Sequence, residues 1–370
     1  MSLIKFKLEF SGPFLMRLSS LLALGKIGAM VYARRAFGRR LEPTWDAELE
    51  IAVLFFRRQF TKGMTHSKIT KGRQAFDSLL SETKDVYDVT VESCDQPKGH
   101  WIIPKKIRSN ATLLYLHGGG YTFYGAVNKR FIAMVAHHCG ARAFAPDYRL
   151  TPEHPHPAQA EDALAAWRYV TTFTPPENVV LVGDSAGGHM ALTLLQNLKK
   201  EGLPQPALCI GLCPWTDVGE RGASLYGNNR WDLIQGWMMK QFSEWLNPGG
   251  RFDRAEISPI AHNYKGLAPI YLQAGHREVM CDMISDFAQK QVEHGADVLL
   301  DVWPHMPHEF QAFDLLNPSA TDALERIGLA IDAFVDKKMV FARGPNTVLE
   351  HGVFSTQPKA QVRQVEAKAN

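Results

Sequence analysis

The sequence predicts an α/β fold, a mostly parallel central sheet with helices on both faces and a helical cap. Three observations carry that reading. Short apolar runs recur at Ala111–Leu116, Ala141–Pro146, Val179–Val182, Ala207–Cys213, Ala268–Ala274 and Val298–Trp303, with helix-period segments between several of them. Such alternation builds parallel sheets. The run Val179-Val180-Leu181-Val182 breaks at Gly183-Asp184-Ser185-Ala186-Gly187, and helical spacing resumes at once. A strand therefore enters a helix through a very tight turn, the mechanical context of a G-x-S-x-G elbow. Chemically loaded loops also follow successive strands, on the edge where open α/β sheets bind ligands.

The chain has 370 residues, 45% hydrophobic and 21% charged, enough for one large α/β domain with an accessory lid or for two domains. A net charge of +3 is too mild for a nucleic-acid partner. The charge is uneven: Lys5, Lys7, Arg17, Lys26, Arg34, Arg35, Arg39 and Arg40 meet only Glu9 before Glu42. Cys94, Cys139, Cys209, Cys213 and Cys281 are scattered without metal-ligand spacing. They read as reduced thiols of a cytoplasmic protein, with no metal.

Residues 12–33 are apolar but interrupted by Arg17 and Lys26, which makes a poor spanning helix and a weak secretory signal. Two readings stay open: a lid over the site, favoured here, or a helix on an anionic membrane surface. Helical spacing continues over 44–85, so 1–85 reads as an N-terminal helical cap region. From Val86 to Ile103 the period shortens toward two, as in a hairpin. Residues 86–217 and 256–340 then form the sheet-and-helix core. The intervening 218–255 breaks the rhythm with Trp231, Trp237, Met238, Met239, Phe242 and Trp245, and reads as an apolar cap insertion facing the pocket. A helix is expected from Met283 to His294 and another over about 320–334. Residues 341–370 have no apolar period and read as a polar tail.

His117-Gly118-Gly119-Gly120-Tyr121 follows the strand end at Leu116. Unobstructed N–H groups of such glycines can meet a developing oxyanion. Asp147, Tyr148 and Arg149 read as a hydrogen-bonded scaffold beneath that loop. Ser185 would stand at the start of a helix, a carboxylate (Glu278 or Asp282) follows the penultimate strand, and His308 follows the last one. Serine, carboxylate, then histidine is the order of an α/β-hydrolase triad.

With HGGGY, DYRLTPEHP, GDSAGG, EVMCD and MPHEF in this order, the chain resembles the bacterial hormone-sensitive-lipase family of esterases over about residues 86–335. E-V-x-x-D and W-P-x-M-P-H are similar to the monoterpene lactone hydrolase and arylacetamide deacetylase branches. The resemblance implies an α/β-hydrolase fold with a two-part helical cap and no metal or organic cofactor. It implies Ser185 as nucleophile, His308 as general base, Gly119, Gly120 and Ala186 as oxyanion donors, and Gly118 keeping the loop clear. His305 matches no family position. The commonest family pattern has aspartate where this chain has Glu278; the position just past the strand end favours Glu278, with Asp282 behind it. The expected reaction is hydrolysis of short to medium acyl esters through an acyl-enzyme. Lactone or amide hydrolysis, or a membrane-associated lipid esterase, would use the same triad. A receptor that had lost its histidine is disfavoured by the intact Ser185, His308 and glycine triplet. The expected partner is a small-molecule ester, with membrane contact through the basic N-terminus and homo-oligomerisation left open.

Overall fold

The computed structural model describes residues 12–78 and 86–337. Lys5, Lys7, Glu9, the stretch 79–85 and the expected polar tail lie outside the described residues.

Three helices lead the chain: α1 (Phe14–Ala36), α2 (Ala47–Met64) and α3 (Ile69–Phe76). The sheet follows with β1 (Val89–Asp95), β2 (Lys98–Pro104), β3 (Thr112–Leu116), β4 (Arg142–Pro146), β5 (Val179–Asp184), β6 (Leu208–Leu212), β7 (Ile270–Gly275) and β8 (Val298–Trp303). Helices α4 (Ala126–Cys139), α5 (Ala158–Val170), α6 (Ala186–Lys200), α10 (Cys281–Glu293) and α11 (Pro318–Ile331) connect or follow its strands, and α7 (Ser224–Gly227), α8 (Gly236–Leu246) and α9 (Arg254–Ile257) lie between β6 and β7. Spatial order is β1-β2-β4-β3-β5-β6-β7-β8. The first hairpin is antiparallel, β2 runs antiparallel to β4, and every later pairing is parallel.

The two faces of the sheet follow from the period-two alternation of its strands. Leu113, Tyr115, Val180 and Val182 join α4 and α11 in one apolar cluster. Leu114, Leu116, Val179 and Leu181 join α5, α6, α10 and the cap in the other. Both faces are covered, which is why the central strands are almost wholly apolar.

The insertion between β6 and β7 is closed by a polar knot. The Asp217 carboxylate pairs with Arg221 Nε at 2.6 Å and with Arg254 Nε at 2.8 Å, while Val218 N–H donates to Ser258 Oγ at 2.9 Å. The insertion is also bonded to the N-terminal region: Arg57 Nε of α2 donates to the Asp232 carbonyl at 2.7 Å, and Trp231 Nε1 donates to the Leu41 carbonyl, between α1 and α2, at 3.0 Å.

One expectation about the N-terminus fails. Helix α1 contributes no residue to the main apolar core or to the cavity at the serine; Phe60 of α2 lines that cavity instead. The long apolar run made α1 the natural lid, but it lies outside α2 with only Ser20 and Val31 buried. Asp282 lies on α10, which begins at Cys281, whereas Glu278 belongs to the preceding turn.

Candidate active site

The serine turn is built from steric necessity. Ser185 has φ 51° and ψ −118°, a conformation that costs a non-glycine residue on the order of 1–3 kcal/mol. Its neighbours hold it there: Ser185 N–H donates to the Leu212 carbonyl at 2.9 Å, and its own carbonyl accepts from Trp215 at 3.0 Å and His189 at 3.1 Å. The turn is so close to β3 that a Cβ on Gly187 would lie 1.9 Å from the Leu116 carbonyl oxygen. Only glycine fits there.

The penultimate and last strands deliver the acid and the imidazole. His308 Nδ1 and Glu278 Oε2 are 2.8 Å apart, and Glu278 Oε1 accepts the Gly275 N–H at 2.8 Å. Both side chains are almost fully buried. With a proton on Nδ1 facing the carboxylate, Nε2 is free to accept another. Burial opposes charge on the ring, but the hydrogen bonds it makes to Cys213, Glu278 and Glu309 outweigh it and hold His308 well above the ordinary histidine range. Asp282 is not at the imidazole: its Oδ2 accepts the Ser224 N–H at 2.9 Å and fixes the cap insertion.

The glycine loop meets the same centre. Gly118 N–H is spent on Asp184 Oδ2 at 2.9 Å, so Gly118 anchors the loop and does not serve as a donor. A Cβ there would lie 2.1 Å from that oxygen. Gly119 and Gly120 line the cavity with Ser185 and His308, and among the described residues no acceptor takes the N–H groups of Gly119, Gly120 or Ala186. Beneath the loop, His117 is stacked between Tyr124 and Tyr148 at ring separations of 3.9 and 4.0 Å. Burial lowers its pKa to about 3, leaving a neutral strut. Tyr148 Oη donates to the His117 carbonyl at 2.6 Å, and Arg149 pairs with Asp162 at 2.8 Å.

Burial, then the charge of neighbouring Glu309, push the Asp184 carboxyl well above the usual range. Glu309 Oε1 lies 3.5 Å from His308 Nε2. Cys213, Glu278 and His308 form a compact group of metal-ligand residue types. Burial pushes the Cys213 thiol up to about 12, and Glu278 and His308 face each other, so the group fits a hydrogen-bonded relay better than a metal site. Two further histidines are engaged away from the serine. His189 Nε2 bonds the Ile257 carbonyl at 2.8 Å, and His305 Nδ1 meets Glu42 at 3.1 Å.

One residue went unread in the sequence. Asp232, fully buried in the cap insertion, accepts N–H groups from Val279 at 2.6 Å, Leu233 at 2.7 Å and His308 at 3.0 Å. It ties the acid loop to the base loop. Burial lifts its carboxyl to about 6, with Glu278 adding to the rise and His308 opposing it. Its only sequence signal was a lone acid among Trp231, Leu233 and Ile234.

A family model described as the alpha/beta hydrolase fold matches residues 113–312. The chain belongs to the α/β-hydrolase family. It is 33% identical over 261 residues to an acetyl-hydrolase of Streptomyces hygroscopicus, covering 70% of this chain and 85% of that one. A carboxylesterase of Mycobacterium tuberculosis is 29% identical over 242 residues, covering 61% and 75%. A solved esterase of the bacterial hormone-sensitive lipase family superposes with a TM-score of 0.71 at 28% identity, covering 78% of this chain and 99% of that one. This α/β-hydrolase is thus an enzyme of the esterase group, and the eight-stranded sheet and the serine elbow agree with that membership.

In this hydrolase Asp232→Ala should lower kcat about 10- to 100-fold with little change in KM, because ångström-scale misplacement of a reacting group costs that much. Asp232→Asn, which keeps one carbonyl acceptor, should lose less. Steady-state kinetics of both variants checks this; an unchanged kcat in the alanine variant would contradict it.

Proposed function

We propose that the protein is a serine carboxylester hydrolase that cleaves short to medium acyl esters through an acyl-enzyme. The observation that carries the reading is the buried Glu278–His308 hydrogen bond of 2.8 Å, with His308 lining the same cavity as Ser185, Gly119 and Gly120. Ser185 Oγ attacks the ester carbonyl carbon while His308 Nε2 takes its proton. Negative charge on the carbonyl oxygen is met by the N–H groups of Gly119, Gly120 and Ala186, each such donor being worth about 2.7–4 kcal/mol in acyl transfer. The positive end of α6 adds to that field. Collapse breaks the C–O bond, and the imidazolium protonates the leaving alkoxide. Water, deprotonated by the same nitrogen, then releases the carboxylic acid and restores Ser185. Glu278 stabilises the transient imidazolium.

The cavity lining supports a small acyl group: Phe60, Trp215, Ile234, Met239 and Phe242 crowd the space beside Ser185. The name acetyl-hydrolase borne by the Streptomyces relative supports the same preference.

Hydrolysis of p-nitrophenyl esters from acetate to palmitate should peak at the short end. Ser185→Ala and His308→Ala should each reduce kcat by about 10⁴-fold or more. Glu278→Ala should lose far more than Asp282→Ala; the reverse order would transfer the acid role to Asp282. Turnover that survives Ser185→Ala would sink the serine mechanism.

The pH dependence has a definite sign. His308 must be neutral at Nε2 to act as base, and its partners hold its pKa above the usual range. The kcat/KM of the wild type should therefore rise with pH through a midpoint above about 6.5. Glu278→Gln, which removes one of those partners, should bring the midpoint down. A midpoint at or below the ordinary histidine value in the wild type would contradict the electrostatics.

A further inference from the structure

Helix α1 is amphipathic the wrong way round for a helix on a water-soluble surface. Its serines point into the protein. Ser20 is buried, with its Oγ 2.7 Å from Ser78 Oγ and 3.4 Å from Gln59 Nε2. Ser19 Oγ accepts from Arg58 at 3.0 Å and from Lys62 at 3.1 Å. Its leucines point out: Leu15 is 76% exposed, Leu22 65% and Leu21 51%, with Phe14 and Leu18 beside them. An exposed apolar stripe of this kind marks an interaction surface.

The charges choose among occupants. Helix α1 contains no acidic residue, and Arg17 and Lys26 are exposed on it. A second copy of the same face would bring cations against cations with no counter-charge from α1. An anionic headgroup layer supplies that counter-charge and an acyl region for the leucines.

The depth of insertion is also fixed. By length and composition α1 could cross a bilayer, with a mean hydropathy of 1.5 over its best window. Yet its polar face is bonded to α2, where Arg58 and Lys62 would have to follow it into hydrocarbon. That would be costly. The helix therefore lies in the interface and does not span it.

We propose that the outward face of α1, from Phe14 to Lys26, docks the enzyme on an anionic lipid surface, with Leu15, Leu18 and Leu22 inserted and Arg17 and Lys26 at the headgroups. Helix α2 connects this face to the cavity, since Phe60 on α2 lines it. Docking thus holds the cap beside a reservoir of membrane-dissolved ester. The surface reading does not depend on the catalytic assignment, because none of these residues touches the cavity.

Flotation of the full chain with phosphatidylcholine vesicles, with and without phosphatidylglycerol, tests it. Wild type should float with the anionic vesicles at 0.1 M salt and release at high salt. Leu18→Ser/Leu22→Ser should lose flotation at least ten-fold, and Arg17→Gln/Lys26→Gln about five-fold for each charge removed. Both variants should keep wild-type turnover of a soluble short-chain ester, which separates lost docking from lost folding. No flotation of folded wild type, equal flotation with neutral vesicles, or undiminished flotation of the serine variant would overturn the proposal. So would a concentration-dependent dimer by light scattering that disappears in the serine variant while vesicles stay unbound, since the occupant is then a second copy.

Discussion

Everything at the centre of this molecule depends on one buried contact, the 2.8 Å hydrogen bond between His308 Nδ1 and Glu278 Oε2. Two groups able to carry charge are removed from water there, which is costly unless each is well partnered. The fold provides those partners from backbone. Gly275 donates to the second oxygen of Glu278, and Asp232 holds the N–H groups of Val279 and His308. The parallel order of β6, β7 and β8 brings the loops after those strands to one edge of the sheet, so that acid and imidazole can meet. The serine reaches the same edge because β5 lies next to β6.

The cap contributes to this arrangement as well as to the pocket walls. Asp232 belongs to the insertion, yet its carboxylate positions the loops of both Glu278 and His308. Its backbone carbonyl is held by Arg57 of α2. Glu42, just before α2, is buried against Arg277 at 3.0 Å and His305 at 3.1 Å, one residue before Glu278 and three before His308. A change in cap packing would therefore move the Glu278 and His308 loops, and not only the apolar walls formed by Phe60, Met239 and Phe242.

What could be read from sequence was what depends on local pattern. The β-branched run ending at Asp184 and the glycines around Ser185 dictate a strand, a strained turn and a helix, and the strand at Val298–Trp303 has the bounds its apolar period implies. The glycine triplet could be assigned to a loop, but not the division of labour within it: Gly118 becomes an anchor only because Asp184 folds beneath it. Asp232 was illegible for a related reason, since two of its three N–H partners, Val279 and His308, lie on loops that meet it only in the folded chain. Helix α1 was misread because hydropathy reports how apolar a helix is, not which face turns inward. Ser20 is buried against Ser78 and Gln59, contacts that no helical periodicity announces.

The central claim is that Ser185 is a nucleophile activated by His308, and covalent labelling tests it without assuming any substrate. Wild-type enzyme treated with a fluorophosphonate should gain one phosphonyl adduct in its intact mass, and peptide mapping should place it on Ser185. Labelling should vanish in Ser185→Ala and slow sharply in His308→Ala. An adduct on another residue, or labelling at an undiminished rate without His308, would contradict the account.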